Sequence, residues 1–211
     1  PPPTAFAPSV PMIDEPFRRW FASVAAAPVA RMARGGITPD ALTWTGFGVA
    51  LIAAWLVARG QPLMGITVWL VSRIVDGVDG LLARQANRAT LYGGYLDITL
   101  DMGAYSAMAV GFATSMPELQ GRWGLVLVGY VLAITTTLAL SSLAERADRQ
   151  LGGNRSLQFT PGLAEAGETT AMYVAIAILP VFARWILDLC IVLLALTAIQ
   201  RTVLAKRLLR S

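Results

Sequence analysis

Histidine is absent from this 211-residue chain, and cysteine occurs once, at Cys190. The first absence removes the commonest general base and transition-metal ligand. The second excludes an intrachain disulfide and any cysteine-cluster metal site. Charge is also scarce: 14% of residues are Asp, Glu, Lys or Arg, against about a quarter in an average soluble domain. Hydrophobic residues make up 55% of the chain. This is the composition of a one-domain membrane protein whose chemistry must run on carboxylates, hydroxyls, Lys or Arg.

What is present in quantity is apolar sequence in long runs. A bilayer-spanning helix needs roughly 20 mostly apolar residues, and six segments qualify: 41–59, 63–86, 90–116, 121–144, 165–181 and 183–205. The opening PPPTAFAPSVP lacks the basic-then-apolar layout of a signal peptide, and residues 1–12 read as a flexible tail. Residues 13–34 mix Phe17, Trp20, Phe21 and Val24 with Arg18, Arg19, Arg31 and Arg34, the composition of an amphipathic helix lying in the membrane interface. The expected fold is all-α and membrane-embedded, with six transmembrane helices over residues 35–211 preceded by that interfacial helix. At the start of the first span, Thr38 or Asp40 can cap and Pro39 suits the helix entry.

Lys and Arg in short loops set orientation. Thirteen fall on one side: Arg18, Arg19, Arg31, Arg34, Arg84, Arg88, Arg146, Arg149, Arg155, Arg201, Lys206, Arg207 and Arg210. Arg59, Arg122 and Arg184 fall on the other, and Arg73 lies within a span. Both termini are therefore expected in the cytoplasm. Topology and lipid headgroups account for the basic residues, and no nucleic-acid module is evident.

Against this background the stretch DGVDGLLARQANRATLYGGYLDITLD stands out, with Asp76, Asp79, Asp97 and Asp101 inside two of the spans. Ionisable groups at such depth cost several kcal/mol and mark function. Asp76 and Asp79 are spaced i,i+3; Asp97 and Asp101 are i,i+4, so each pair shares a helix face. Folding the two spans as an antiparallel hairpin about Asn87 and Arg88 sets Asp76 level with Asp101 and Asp79 level with Asp97. At about 1.5 Å rise per residue the four lie roughly 12–20 Å from the turn, in the cytoplasmic half. Four clustered carboxylates must be protonated, paired with bases or bound to cations. Arg73 and Arg84 do not neutralise four anions, whereas a pair of hard divalent ions, Mg²⁺ or Mn²⁺, would. Two carboxylate-bridged metals recur in phosphoryl chemistry. Gly80, Ala83 and Gly93 continue these faces. They permit either tight helix packing or close approach of a flat nucleotide, while Arg84 and Thr90 at the cytoplasmic mouth are placed for phosphate oxygens.

These residues carry a resemblance. The stretch is similar to the signature of the CDP-alcohol phosphotransferase family, D-x2-D-G-x2-A-R-x8-G-x3-D-x3-D, read here as Asp76, Asp79, Gly80, Ala83, Arg84, Gly93, Asp97 and Asp101 with every spacing kept. The six-span layout resembles the family as well, and the chain looks most like its small bacterial members. The resemblance implies transfer of a phosphatidyl group from a CDP-linked lipid, usually CDP-diacylglycerol, to a small alcohol, with release of CMP. It implies that Asp76, Asp79 and Asp97 hold two metal ions, with Asp101 also near one and acting as the general base. It places Gly80, Ala83, Arg84, Thr90 and Gly93 around the CDP moiety. It further implies a bacterial inner-membrane enzyme with a cytoplasm-facing site, working as a homodimer. Where family members often read Thr-Pro-Asn, this chain has Thr38, Pro39 and Asp40. An Asp is ill suited to a diphosphate, so Asp40 is expected to cap instead.

For the acceptor, Arg146, Arg155 and Arg201 are candidates to bind a phosphate, with Arg201 singled out because it lies in the apolar run TAIQRTVLA. Topological anchoring is the competing explanation. Glu168, with Glu165, opens a helix, where acids are favoured in any case; functionally it would suit hydroxyls or the amine of choline or serine. The lean is toward glycerol 3-phosphate or another phosphorylated or polyol acceptor. A transporter is the rival class, since intramembrane acids occur in ion pathways. All four acids lie in one half, however, no polar chain continues to the other side, and broken span pairs are not evident. A purely structural assembly protein leaves four level carboxylates unexplained.

Overall fold

The computed structural model describes residues 38–85, 90–146 and 166–209, with the side chains of Arg84 and Gln85 excepted. The expected tail over 1–12, the interfacial helix over 13–34 and the turn at Asn87 and Arg88 lie outside the described residues, as does Arg155. The described residues form six α-helices: α1 (Pro39–Ala58), α2 (Pro62–Gln85), α3 (Leu91–Ser115), α4 (Gln120–Arg146), α5 (Ala166–Ile178) and α6 (Ala183–Leu209). Short 3-10 turns, Pro117–Leu119 and Pro180–Phe182, lead into α4 and α6.

Helix starts follow from local chemistry. Thr38 caps α1, its Oγ1 accepting from the Ala41 N–H at 3.2 Å. Asp40, one of the two expected caps, sits inside the first turn instead. Pro39 already occupies the first helical position, so the residue before it is the one with the extended backbone a cap needs. Thr90 caps α3 by accepting from the Gly93 N–H at 2.9 Å. The α1–α2 turn is closed by Gly60 at φ +76°, a left-handed conformation that favours glycine.

Among the described residues, three of the units are long and apolar enough to cross a bilayer: Pro39–Ala58, Pro117–Arg146 and Pro180–Leu209. Helices α2 and α3 have 24 and 25 residues and carry the ionisable groups. Large apolar side chains such as Trp44, Ile52, Trp55, Leu125, Val131 and Ile199 face outward. Helices apolar on their outer as well as inner faces suit a lipid surround. This is an all-helical membrane protein.

Packing departs from the simple hairpin expected of the aspartate helices. Helix α1 packs against both α2 and α3, whereas α2 and α3 make hardly any close backbone approach to each other. The wedge is possible because facing positions are small. A Cβ on Gly111 of α3 would lie 2.5 Å from the Ala54 carbonyl oxygen of α1, closer than any real contact. The glycine thus lets two backbones meet. The consequence is a gap between α2 and α3 rather than a sealed helix pair.

Helices α4 and α6 form the second packed pair, tied by Arg122 Nε donating to Asp188 Oδ1 at 2.7 Å. Between the two groups runs an aromatic core. Trp123 and Phe112 stack at 5.3 Å, Phe112 and Tyr173 at 5.7 Å, and Trp69 meets Tyr105 edge-on at 5.0 Å. The tyrosine hydroxyls of this core are linked in series, whereas the buried indole nitrogens of Trp69 and Trp123 have no hydrogen-bond partner among the described residues. Tyr173 donates to the Tyr105 carbonyl at 2.7 Å, so the Tyr173 oxygen accepts from the Tyr130 hydroxyl at 2.9 Å.

Candidate active site

Helical periodicity on α2 puts Trp69, Arg73 and Asp76 on one face, with Asp79 a turn further on. On α3 it aligns Asp97, Asp101 and Tyr105. Across the gap these faces meet. Carboxylate oxygens of Asp76, Asp79 and Asp97 all lie within 4.8 Å of one another. Their environments are graded: Asp79 is buried, Asp76 half-buried and Asp97 exposed. Asp79 lies beside Thr43 of α1 and the backbone of Gly80. A Cβ on Gly46, one turn after Thr43, would lie 3.6 Å from the Ser72 carbonyl oxygen and 3.7 Å from the Asp76 nitrogen of α2, so α1 passes close to α2 beside the aspartates.

The three oxygens suit a divalent cation. The Asp79 Oδ2 atom is buried and has no hydrogen-bond partner among the described residues, an expensive arrangement for an anion unless a cation completes it. An all-carboxylate donor set is the hard-oxygen environment preferred by Mg²⁺ and Mn²⁺. The residues present therefore fit a metal ion.

Asp101 stands next to this trio but is engaged differently. Its Oδ1 accepts from Arg73 Nη1, and the same Nη1 lies 3.9 Å from Asp76 Oδ2. The Arg73 guanidinium sits over the Trp69 ring at 4.4 Å and faces Tyr105 at 5.3 Å. Tyr105 is held in turn by its hydroxyl, which lies 3.1 Å from the Ala166 carbonyl and 3.3 Å from Thr170 Oγ1 of α5. In the sequence Arg73 stands out only as a charge near the aspartates, and Trp69, Tyr105 and Thr43 are not among the candidate site residues. Spacings of 69, 73 and 76 on one helix and 97, 101 and 105 on the other were the available signal.

The expected nucleotide-binding residues distribute around the mouth. Gly80 and Ala83 are half-buried on α2, and Gly93 is half-buried in the first turn of α3. A Cβ on Gly93 would lie 3.4 Å from Asp40 Oδ1, which brings Asp40 of α1 to the same rim. Thr90 is exposed there as a helix cap. Arg84 lies within α2, its side chain outside the description.

Of the acceptor candidates, Arg201 is buried, and its Nη1 donates to the Ala133 carbonyl of α4 at 2.8 Å. Arg146 is exposed at the end of α4, about 20 Å further along that helix axis. The two arginines are therefore not adjacent. Glu168 is exposed in the first turn of α5. Around Arg201 lie further buried hydroxyls, Thr137 on α4 and Thr197 on α6.

Comparison with known proteins decides the class. Residues 36–202 match the family model described as CDP-alcohol phosphatidyltransferase. The chain belongs to that family. It is accordingly a membrane-bound transferase of phospholipid biosynthesis. The CDP-alcohol phosphatidyltransferase relatives include inner membrane protein YnjF of Escherichia coli, 35% identical over 69% of this chain and 71% of that protein. They also include the phosphatidylinositol phosphate synthase of Cutibacterium acnes, 31% identical over 92% of this chain and 97% of that one. The fold is similar to that of the Mycobacterium tuberculosis phosphatidylinositol phosphate synthase. The structure of that protein with manganese and citrate has a TM-score of 0.65 at 20% identity, covering 85% of this chain and 87% of that one. Its complex with CDP-DAG has a TM-score of 0.64, also at 20% identity, covering 89% and 94%.

Proposed function

We propose that this CDP-alcohol phosphatidyltransferase moves the phosphatidyl group of CDP-diacylglycerol onto a hydroxyl of a phosphorylated polyol, releasing CMP. The observation that carries the reading is the Asp76–Asp79–Asp97 trio, with its buried, unpartnered Asp79 oxygen. In this reading Asp76, Asp79 and Asp97 hold two divalent ions, Mg²⁺ or Mn²⁺, with Asp101 beside them. The metals, when bound, supply charge neutralisation of the diphosphate and of the departing CMP. The CDP-DAG complex of the mycobacterial protein supports the choice of donor.

The chain's own residues do the rest. Asp101 takes the proton of the acceptor hydroxyl. That oxygen attacks the lipid-side phosphorus, a new P–O bond forms, and the P–O bond to CMP breaks. The gap between α2 and α3 admits the diphosphate. Half-buried Gly80, Ala83 and Gly93 let the nucleotide approach backbone, and Thr90 and Arg84 lie at the entrance. The capped N-terminus of α3 opens at the same rim and favours anionic groups. Arg201 is the residue we assign to the acceptor's phosphate, because its guanidinium is buried well inside the bundle, its Nη1 donating to the Ala133 carbonyl, and a planar guanidinium pairs readily with phosphate oxygens. The relative from Cutibacterium, named for a phosphatidylinositol phosphate product, supports a phosphorylated polyol. Thirteen Lys and Arg on one side and the inner-membrane name of the Escherichia relative support a site facing the cytoplasm.

The test is CMP release by the purified full chain in detergent, with CDP-diacylglycerol and Mg²⁺ or Mn²⁺. Acceptors are supplied separately: inositol phosphate, glycerol 3-phosphate, glycerol, serine and choline. Release that needs a phosphorylated polyol and stops with EDTA is the expected result. Release with choline or serine alone would move the acceptor reading to Glu168, and no release with any acceptor would overturn the assigned reaction.

A further inference from the structure

We infer that Arg73 is the positioning residue for Asp101, holding its carboxylate apart from the three-carboxylate metal set and turned toward the acceptor. The inference rests on the reading of Asp101 as base, and goes beyond the metal and nucleotide roles already assigned.

Four observations carry it. The carboxylates divide three and one, with Asp76, Asp79 and Asp97 converging on one point and Asp101 instead meeting Arg73. The Arg73 side chain is only 15% exposed, so its charge is weakly screened and its pairing with Asp101 is correspondingly strong. The guanidinium plane is fixed from outside the site. Fully buried Trp69 stacks on it, buried Tyr105 faces it, and Ser72 Oγ accepts from its Nε at 3.3 Å. Finally, the support continues outward. Tyr105 is anchored to α5 through Ala166 and Thr170, and Ser72 is anchored to the Trp69 carbonyl at 2.7 Å.

The physical logic is one of competition. A carboxylate released among three others beside divalent cations is drawn in as a further ligand, and its lone pairs are then spent. Arg73, paired with Asp101 Oδ1 and 3.9 Å from Asp76 Oδ2, gives that carboxylate an alternative partner at the edge of the metal set. Arginine suits the task better than lysine, because a planar fork can stack on two rings and pair with a carboxylate edge at once. Arg73 touches no reacting atom in this arrangement; it acts through Asp101.

Five proteins test this: wild type, Arg73→Gln, Arg73→Lys, Asp101→Asn and the Arg73→Gln/Asp101→Asn double variant, each purified as the full chain and checked for monodispersity and melting temperature. Turnover is followed by CMP release, and Mn²⁺ binding by electron paramagnetic resonance of the free ion. Arg73→Gln is expected to lower kcat about 100-fold, the scale of a misplaced catalytic group, with the KM for CDP-diacylglycerol within threefold and Mn²⁺ still bound. The double variant is expected to be no slower than Asp101→Asn alone, and Arg73→Lys to restore less than a tenth of the lost rate. Multiplicative losses in the double variant, wild-type kcat in Arg73→Gln, or loss of Mn²⁺ together with activity would each overturn the inference. A wild type that releases no CMP with any acceptor would defeat the reaction proposed above, and Mn²⁺ binding then decides alone. Tighter binding in Arg73→Gln, abolished by adding Asp101→Asn, keeps the pairing, and its absence overturns it.

Discussion

Arg201 of α6 reaches back along its own helix to donate to the Ala133 carbonyl of α4, 2.8 Å away. Ala133 stands midway along a 27-residue helix, so the guanidinium lies well inside the span rather than at its end. A topological anchor would be expected to snorkel toward the headgroups. Arg201 is instead buried, with Thr197 buried on the same helix face.

Arg201→Gln is expected to raise the KM for a phosphorylated acceptor about tenfold or more, since a hydrogen bond to a charged group contributes about 1.5–3 kcal/mol. The KM for CDP-diacylglycerol should stay within about twofold, a uniform-binding signature confined to one substrate. Initial-rate kinetics with each substrate varied in turn check it. Equal KM changes for both substrates would remove Arg201 from the acceptor site.

Asp79→Asn should weaken Mn²⁺ binding by more than about tenfold, the loss that even an outer-shell partner of a metal site can cause. The reason is that Asp79 is the buried member of the trio and its Oδ2 has no hydrogen-bond partner among the described residues. Melting temperature without metal should hold or rise, because an uncompensated buried charge has been removed. Calorimetric Mn²⁺ titration and a thermal melt in EDTA test both halves, and unchanged Mn²⁺ affinity would reject the metal assignment.

Gly111→Leu should destabilise the protein by about 1–3 kcal/mol, the usual penalty of overpacking. Its Cβ would strike the Ala54 backbone, which cannot move aside without separating α1 from α3. Gly124→Ala is the matched control. Gly124 has open space around it in α4, and the substitution should be stabilising by about 0.5–1 kcal/mol through helix propensity. Melting temperatures of the two variants should therefore move in opposite directions.

Tyr173→Phe should cost about 1–3 kcal/mol, the penalty for leaving buried polar groups unsatisfied. The Tyr173 hydroxyl bridges the Tyr130 hydroxyl and the Tyr105 carbonyl. Because Tyr105 also faces Arg73, kcat should fall modestly alongside stability. Tyr130→Phe removes only the outer end of the series and should cost less in both measurements.

Much of the site was legible before any tertiary structure. Spacings of three and four residues place Asp76 with Asp79 and Asp97 with Asp101, and counting equal distances from one turn brings the pairs level. The convergence of Asp76, Asp79 and Asp97 follows that arithmetic. The small residues were legible as a class but not by role. Gly111 makes a backbone contact, while half-buried Gly80 and Gly93 line the mouth. Both uses need a missing Cβ, and only the neighbour tells them apart. Asp40 shows the same limit. Its expected capping role went to Thr38, and its side chain came to rest near Gly93 of another helix.

The sequence by itself determined that the chain is helical and membrane-embedded, the order of the six described helices, and the level at which the aspartates meet. These depend on hydropathy, on 3.6-residue periodicity and on chain length, all of which are local. Tertiary structure alone decided that α1 stands between α2 and α3 and leaves a gap there. It also paired Asp101 with Arg73 rather than with the other three acids, and drew Arg201 inward to Ala133. Those outcomes turn on which side chains distant segments bring within a few ångströms. In a chain apolar on nearly every face, no amphipathic pattern announces that choice, and close packing makes it.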